Sequence, residues 1–75
     1  MTDTKRFTVT HQPGKDAYGL PRKGYRYRVP MQAHNQVVGM LAAQDCGPGL
    51  LDEIEIGETL EYTGTTREFV VERTA

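Results

Sequence analysis

Seventy-five residues, 37% hydrophobic and 25% charged, with a formal net charge of −1, leave room for one hydrophobic core and no second. Cys46 is the sole cysteine beside two histidines, which excludes an internal disulfide and an ordinary structural zinc site, so no metal or other cofactor is expected. No stretch has the length and apolarity of a membrane span, and residues 1–10 lack the apolar run of a signal peptide. The expected setting is therefore cytoplasmic with no membrane partner.

A core this small rarely supplies more than about 3–5 kcal/mol, so a bound partner or a homo-oligomer would supply what the core lacks. The expected organisation is a flexible tail over residues 1–4 and one small domain over residues 5–74. Charge is unevenly spread: residues 1–28 carry seven cations against Asp3 and Asp16, a balance of +5, while residues 29–75 carry Arg67 and Arg73 against eight acids, a balance of −6. Either the fold holds a dipole that meets partners of opposite sign on its two sides, or the basic early strands pair internally with the acidic late ones.

Gly and Pro punctuate the chain at short intervals, which predicts short strands and turns. Over residues 5–11, Phe7, Val9 and His11 alternate with Arg6, Thr8 and Thr10, the period of a half-buried strand. Residues 12–23 form a long turn-rich excursion with Tyr18 and Leu20 as its apolar anchors, and a loop of that length in a small domain is often functional. Next, Tyr25, Tyr27, Val29 and Met31 fall on one side of a strand and Arg26 and Arg28 on the other. Pro30, without a donor, marks a sheet edge or a strand end.

Residues 33–46 read two ways. As a strand, Val37 to Leu41 offers β-formers with Gly39 at a bulge. As a helix it starts at Asn35 as cap, places Val37, Val38, Leu41 and Ala42 on one stripe and stops at Gly47-Pro48. Beyond it, Ile54 and Ile56, Leu60 and Tyr62, and Phe69 and Val71 each alternate with polar residues, the pattern of an antiparallel meander. The expected fold is mainly β: a five-stranded antiparallel meander or small barrel of the SH3-like or OB-like kind. The alternative is an α+β, ββαββ-like order with a helix near residues 35–46.

The densest functional signal is Tyr18, Arg22, Lys23, Arg26 and Arg28. Cations neutralise phosphates and aromatic faces stack on unpaired bases, so this interleaving suits single-stranded nucleic acid. Period-two geometry, however, sends Tyr25 and Tyr27 toward the core and leaves only Tyr18 to stack. The expected function is therefore a non-catalytic regulatory or adaptor module that binds another protein through this basic loop and strand, with single-stranded nucleic acid as the alternative.

Arg22-x-x-x-Arg26 followed by Asp45-x-Gly47-x-Gly49 resembles the two signatures of PilZ domains, an RxxxR turn and a [DN]xSxxG strand end. That resemblance implies cyclic dinucleotide binding on a six-stranded barrel. It departs from the family at Gly47, where a serine is expected, and at Gly49, one place early.

His11, His34, Asp45 and Cys46 are the candidates for nucleophilic or general-base work, but no spacing places a nucleophile beside an oriented base. The chain is not expected to be an enzyme. Gly47-Pro48-Gly49 lacks the Lys-Ser/Thr of a phosphate loop and reads as a turn. The acids Asp52, Glu53, Glu55, Glu58 and Glu61 alternate with apolar residues, as on a solvated strand face.

Overall fold

The computed structural model describes residues 4–20, 22–64 and 66–75; most of the expected N-terminal tail, residues 1–3, lies outside them. The order is β1 (Arg6–Pro13), β2 (Tyr27–Ala33), α1 (His34–Ala43), β3 (Thr59–Thr63) and β4 (Arg67–Arg73). Neighbours are antiparallel in the sheet order β2-β1-β4-β3. The protein is mainly β, but it has four strands rather than five and the sheet is open, so the SH3-like or OB-like barrel is not formed. The observed order is the ββαββ alternative.

The segment 33–46 carries a helix, His34–Ala43, rather than a strand because of where β2 and β3 sit. They occupy opposite edges of the sheet, so the chain between them must cross one face. A helix does this with its backbone bonds satisfied internally while turning an apolar stripe to the sheet. Val37 and Leu41, one turn apart, are buried; Val38 is half-buried and Ala42 exposed. The helix starts earlier than expected, with Ala33 rather than Asn35 at the cap. The Ala33 amide donates to Gln36 Oε1 at 2.8 Å, half of a capping box whose other half an alanine side chain cannot provide. It also stops before Gly47-Pro48. The Cys46 amide donates to Leu41 O and the Asp45 amide to Ala42 O, a Schellman closure with Asp45 at φ 58 in the left-handed position usually taken by glycine.

Cross-strand register lines up the inner face in rows. Val29, Val9, Val71 and Leu60 form one row, and Tyr27, His11, Phe69 and Tyr62 the next. The helix packs over the aliphatic row and Phe7. The core is closed by Leu51 and Ile54 from the connection to β3.

The strand expected through Ile54 and Ile56 is replaced by a turn: Glu58 N donates to Glu55 O, Glu58 Oε1 accepts from Glu55 N, and Gly57 adopts φ 93. Ile54 enters the core while Ile56 is exposed. Near the helix start, Asp52 Oδ1 lies 3.8 Å from Lys5 Nζ and 2.6 Å from buried His34 Nε2. The latter is close in distance but not aligned as a hydrogen bond. A carboxylate there also suits the positive end of the helix dipole.

β2 is an edge strand, as Pro30 implied, but it does not end there. It continues to Ala33 through a bulge in which Pro30 and Met31 together oppose Thr8, with Met31 at φ 61 and largely exposed. The bulge breaks the period-two parity that had placed Met31 beside Tyr25, Tyr27 and Val29.

Gly39 separates the two readings of this segment experimentally. It is exposed in mid-helix with nothing within 4 Å of where a Cβ would stand, so Gly39→Ala should raise stability by about 0.5–1 kcal/mol in urea denaturation. A loss of stability would indicate a strand bulge at this position.

Candidate functional site

The helix decides which part of the inner face stays open. Its 10 residues span about 15 Å at 1.5 Å per residue, whereas the 8 residues of β1 span about 27 Å at 3.4 Å per residue. Past the aliphatic row the cover thins unevenly. On the β3 side the segment after the helix closes over the aromatic row: Tyr62 donates its hydroxyl to Pro48 O, and Gly64 packs against Gln44 and the Phe69 ring. Burial there, with the nearby Cys46 as a secondary cause, raises the Tyr62 pKa. On the β2 side no helix or loop among the described residues covers the row, and Tyr27 is 41% and Tyr25 77% exposed.

The expectation that these tyrosines fill the core is thus overturned. They do face the side opposite Arg28, as the alternation required, but they lie beyond the reach of the helix. The rings are ordered against one another. His11 stacks on Tyr27 with centroids 4.5 Å apart and planes within 8°, meets Phe69 edge-on at 5.2 Å, and Tyr25 tilts against Tyr27 at 5.8 Å. Arg67 places its guanidinium 5.3 Å from the Tyr27 ring centre and donates from Nη2 to Tyr25 O at 3.0 Å. Arg67 was not a predicted site residue. The available signal was parity in β4, which puts Arg67 on the same face as Phe69 and Val71, opposite Pro13.

Of the predicted site residues, Arg28 stands on the outer face across from Thr10, and Arg26 Nη2 donates to Gln12 Oε1 at 3.1 Å. Gln12 Nε2 in turn donates to Glu68 Oε2 at 3.3 Å. Arg22 and Lys23 are exposed in the preceding loop. Among the described residues, none of these four cations is within ion-pair distance of a carboxylate, so the internal pairing of basic and acidic strands is not formed there.

Tyr18 is 89% exposed at the tip of an ordered loop rather than a slack one. Asp16 Oδ1 accepts from the amides of Tyr18 and Leu20, Asp16 N donates to Leu20 O, and Arg22 N to Gly14 O. Tyr18, Arg22 and Lys23 are thus exposed in the loop that joins β1 to β2, while Arg26 and Arg28 lie by the β2 edge, where the rings of His11, Tyr25 and Tyr27 and the Arg67 guanidinium come together.

Other candidates gain no such setting. Asp45 closes the helix, and the sheet has four strands, so the PilZ-like pattern lacks its barrel. The Cys46 thiol donates to Thr63 O at 3.4 Å and to Gln44 O at 3.6 Å. A cavity of about 270 Å³ bounded by Gln12, Lys15, Glu61 and Glu68 lies toward β3, and it holds none of the predicted residues. Among the described residues no three His, Cys, Asp or Glu side chains are grouped to hold a metal, and no helix is long and apolar enough to cross a membrane. No protein-family model, curated protein or solved structure matches the chain.

Burial, and secondarily the Arg67 charge, lowers the His11 pKa below its ordinary 6.5. The folded state then takes up this proton less readily than the unfolded state, so stability rises with pH. The His11 contribution is complete above the unfolded value and is lost as pH falls through about 6.5 toward the lower folded value. Denaturation midpoints should drop between about pH 7 and pH 5.5 in the natural chain and drop less in His11→Phe, which keeps a ring in the row. Equal slopes in the two proteins would remove His11 as the cause.

Proposed function

We propose that this chain is a non-catalytic cytoplasmic binding module that takes single-stranded nucleic acid at the β2 end of the sheet. The observation that carries the reading is the exposure of Tyr25 and Tyr27 beside Arg67. Sequence alone favoured a protein partner because such a partner needs neither a basic net charge nor exposed tyrosines; the net charge of −1 stands, and the exposure of the tyrosines answers the second ground. Tyr27 in β2 and Tyr25 just before it offer rings on one side, Arg28 and the preceding Arg26 offer cations on the other, and Tyr18, Arg22 and Lys23 extend the surface into the loop. A flexible single strand can fold around such an edge, stacking bases on one side and neutralising phosphates on the other. A duplex is too stiff to do so and keeps its base faces stacked.

The protein-binding alternative keeps one supporting observation: Tyr18 and Leu20 project from the rigid Asp16 turn at 89% and 62% exposure, and an ordered apolar tip suits insertion into a partner's groove. Anisotropy titrations with labelled single-stranded DNA, single-stranded RNA and duplex of equal length test the first reading. Single strands should bind more tightly than duplex, and binding to none of the three would reject it in favour of a protein partner.

Two substitutions sharpen the test. Tyr25→Ala should cost about 1–3 kcal/mol of single-strand binding, the range for one stacked base, while stability moves by no more than about 0.5 kcal/mol because the ring is mostly exposed. Changing Arg22, Lys23, Arg26 and Arg28 together to Ser should weaken binding to every sequence and reduce the slope of log K against log salt by roughly 0.7 per lost phosphate contact. An unchanged slope would place the phosphates elsewhere.

A further inference from the structure

The two open edges of the sheet match each other. Gly64 N donates to Arg67 O and Arg73 N to Glu58 O. Alternation along an antiparallel ladder therefore turns the backbone groups of Leu60 and Tyr62 toward β4 and those of Thr59, Glu61 and Thr63 outward, where the Cys46 thiol donates to Thr63 O and Thr59 and Glu61 face the edge. On the other side, Gly14 N donates to Thr66 O and Thr74 N to Arg6 O, so β1 turns Val9 and His11 toward β2. Their partners Val29 and Tyr27 point inward, and Arg28 points its N–H and C=O to the free edge. Pro30, which lacks an N–H, occupies the next outward place.

We infer that a second copy of this chain docks edge to edge, with β3 of one copy antiparallel to β2 of the next and Glu61 opposite Arg28. Three features agree in this register, the backbone and face matching sharing one period-two alternation and the charge pairing adding a separate one. Backbone groups that point outward meet each other, since Arg28 and Glu61 are both edge-facing. Charges meet their opposites on the outer face. On the inner face, Tyr62 comes opposite Tyr27 and Leu60 opposite Val29, so the aromatic row and the aliphatic row each continue into the neighbouring copy.

Strand directions alternate through β2-β1-β4-β3, so the next β2 lies antiparallel to β3 with its inner face on the same side. The bulge at Pro30 and Met31 ends the pairable stretch at one end and the turn at Gly64 ends it at the other, which restricts slippage. A symmetric β3 to β3 pairing centred on Glu61 would instead oppose two carboxylates, which is unfavourable. The contact is head-to-tail, so it leads past the dimer to a closed ring or an open filament.

This assembly rests on the sheet edges and not on nucleic-acid binding, although it covers Tyr27 and Arg28 and would compete with a strand bound there. Sedimentation velocity of the full chain without nucleic acid, over a wide concentration range at low and high salt, should show mass rising past the dimer at low salt. Glu61→Arg alone and Arg28→Glu alone should each weaken association roughly tenfold or more, because each sets like charges opposite one another. An equimolar mixture of the two variants should restore it, because every edge then again meets its opposite. Circular dichroism checks that both variants stay folded, as exposed positions permit.

A natural chain that stays monomeric throughout, a dimer that grows no further, or a mixture that fails to restore association would overturn the inference. Glu61→Arg leaves the proposed nucleic-acid surface intact. Loss of assembly with single-strand binding retained therefore separates this inference from the functional reading.

Discussion

The packing of a 10-residue helix across a sheet whose longest strand has 8 residues is the constraint on which the remaining structure depends. A helix advances less than half as far per residue as a strand, so α1 shields one end of the inner face and cannot reach the other. Burial follows that limit. Phe7, Val9, Val71, Val37 and Leu41 are closed from solvent, and Leu51 and Ile54 fill the gap between helix and loop. Beyond them the aromatic row changes from buried at Phe69 to exposed at Tyr27.

That gradient explains why apolar side chains remain on the surface of a chain with little apolar material to spare. Burying Tyr25 and Tyr27 would need further helix or a longer return loop. The fold instead satisfies the rings locally: His11 and Tyr25 contact Tyr27, Arg67 lies over its ring, and the Arg67 guanidinium bonds the Tyr25 carbonyl. The rings are thereby held by one another and by Arg67 although they stay exposed.

The charge pattern takes its form from topology. The basic segment feeds β2 at one edge and the acidic segment feeds β3 and β4 at the other, with β1 between. An outer row therefore runs from Arg28 through Thr10 and Val70 to Glu61, cationic at one end and anionic at the other. Because β2 and β4 are separated by β1, the arginines and the late glutamates do not meet directly. Gln12 bridges Arg26 to Glu68 as a neutral intermediary.

Local pattern determined what depends on side-chain alternation alone: strands around Phe7 and Val9, around Tyr27 and Val29, around Leu60 and Tyr62, and around Phe69 and Val71, with Pro30 at an edge and Arg28 on the face opposite Tyr27. The five basic and aromatic candidates could be named because they are close in sequence, and all five are exposed. Three things were not legible. Residues 33–46 satisfied both a strand and a helix locally, and only the need to cross the sheet between opposite edges selected the helix. The Ile54 and Ile56 alternation was broken by the Gly57 turn, whose backbone bonds to β4 exist only once the sheet is assembled. The exposure of Tyr25 and Tyr27, and the arrival of Arg67 beside them, depended on helix length against strand length and on strand order. Periodicity assigns a residue to a face, whereas tertiary packing decides whether that face is covered.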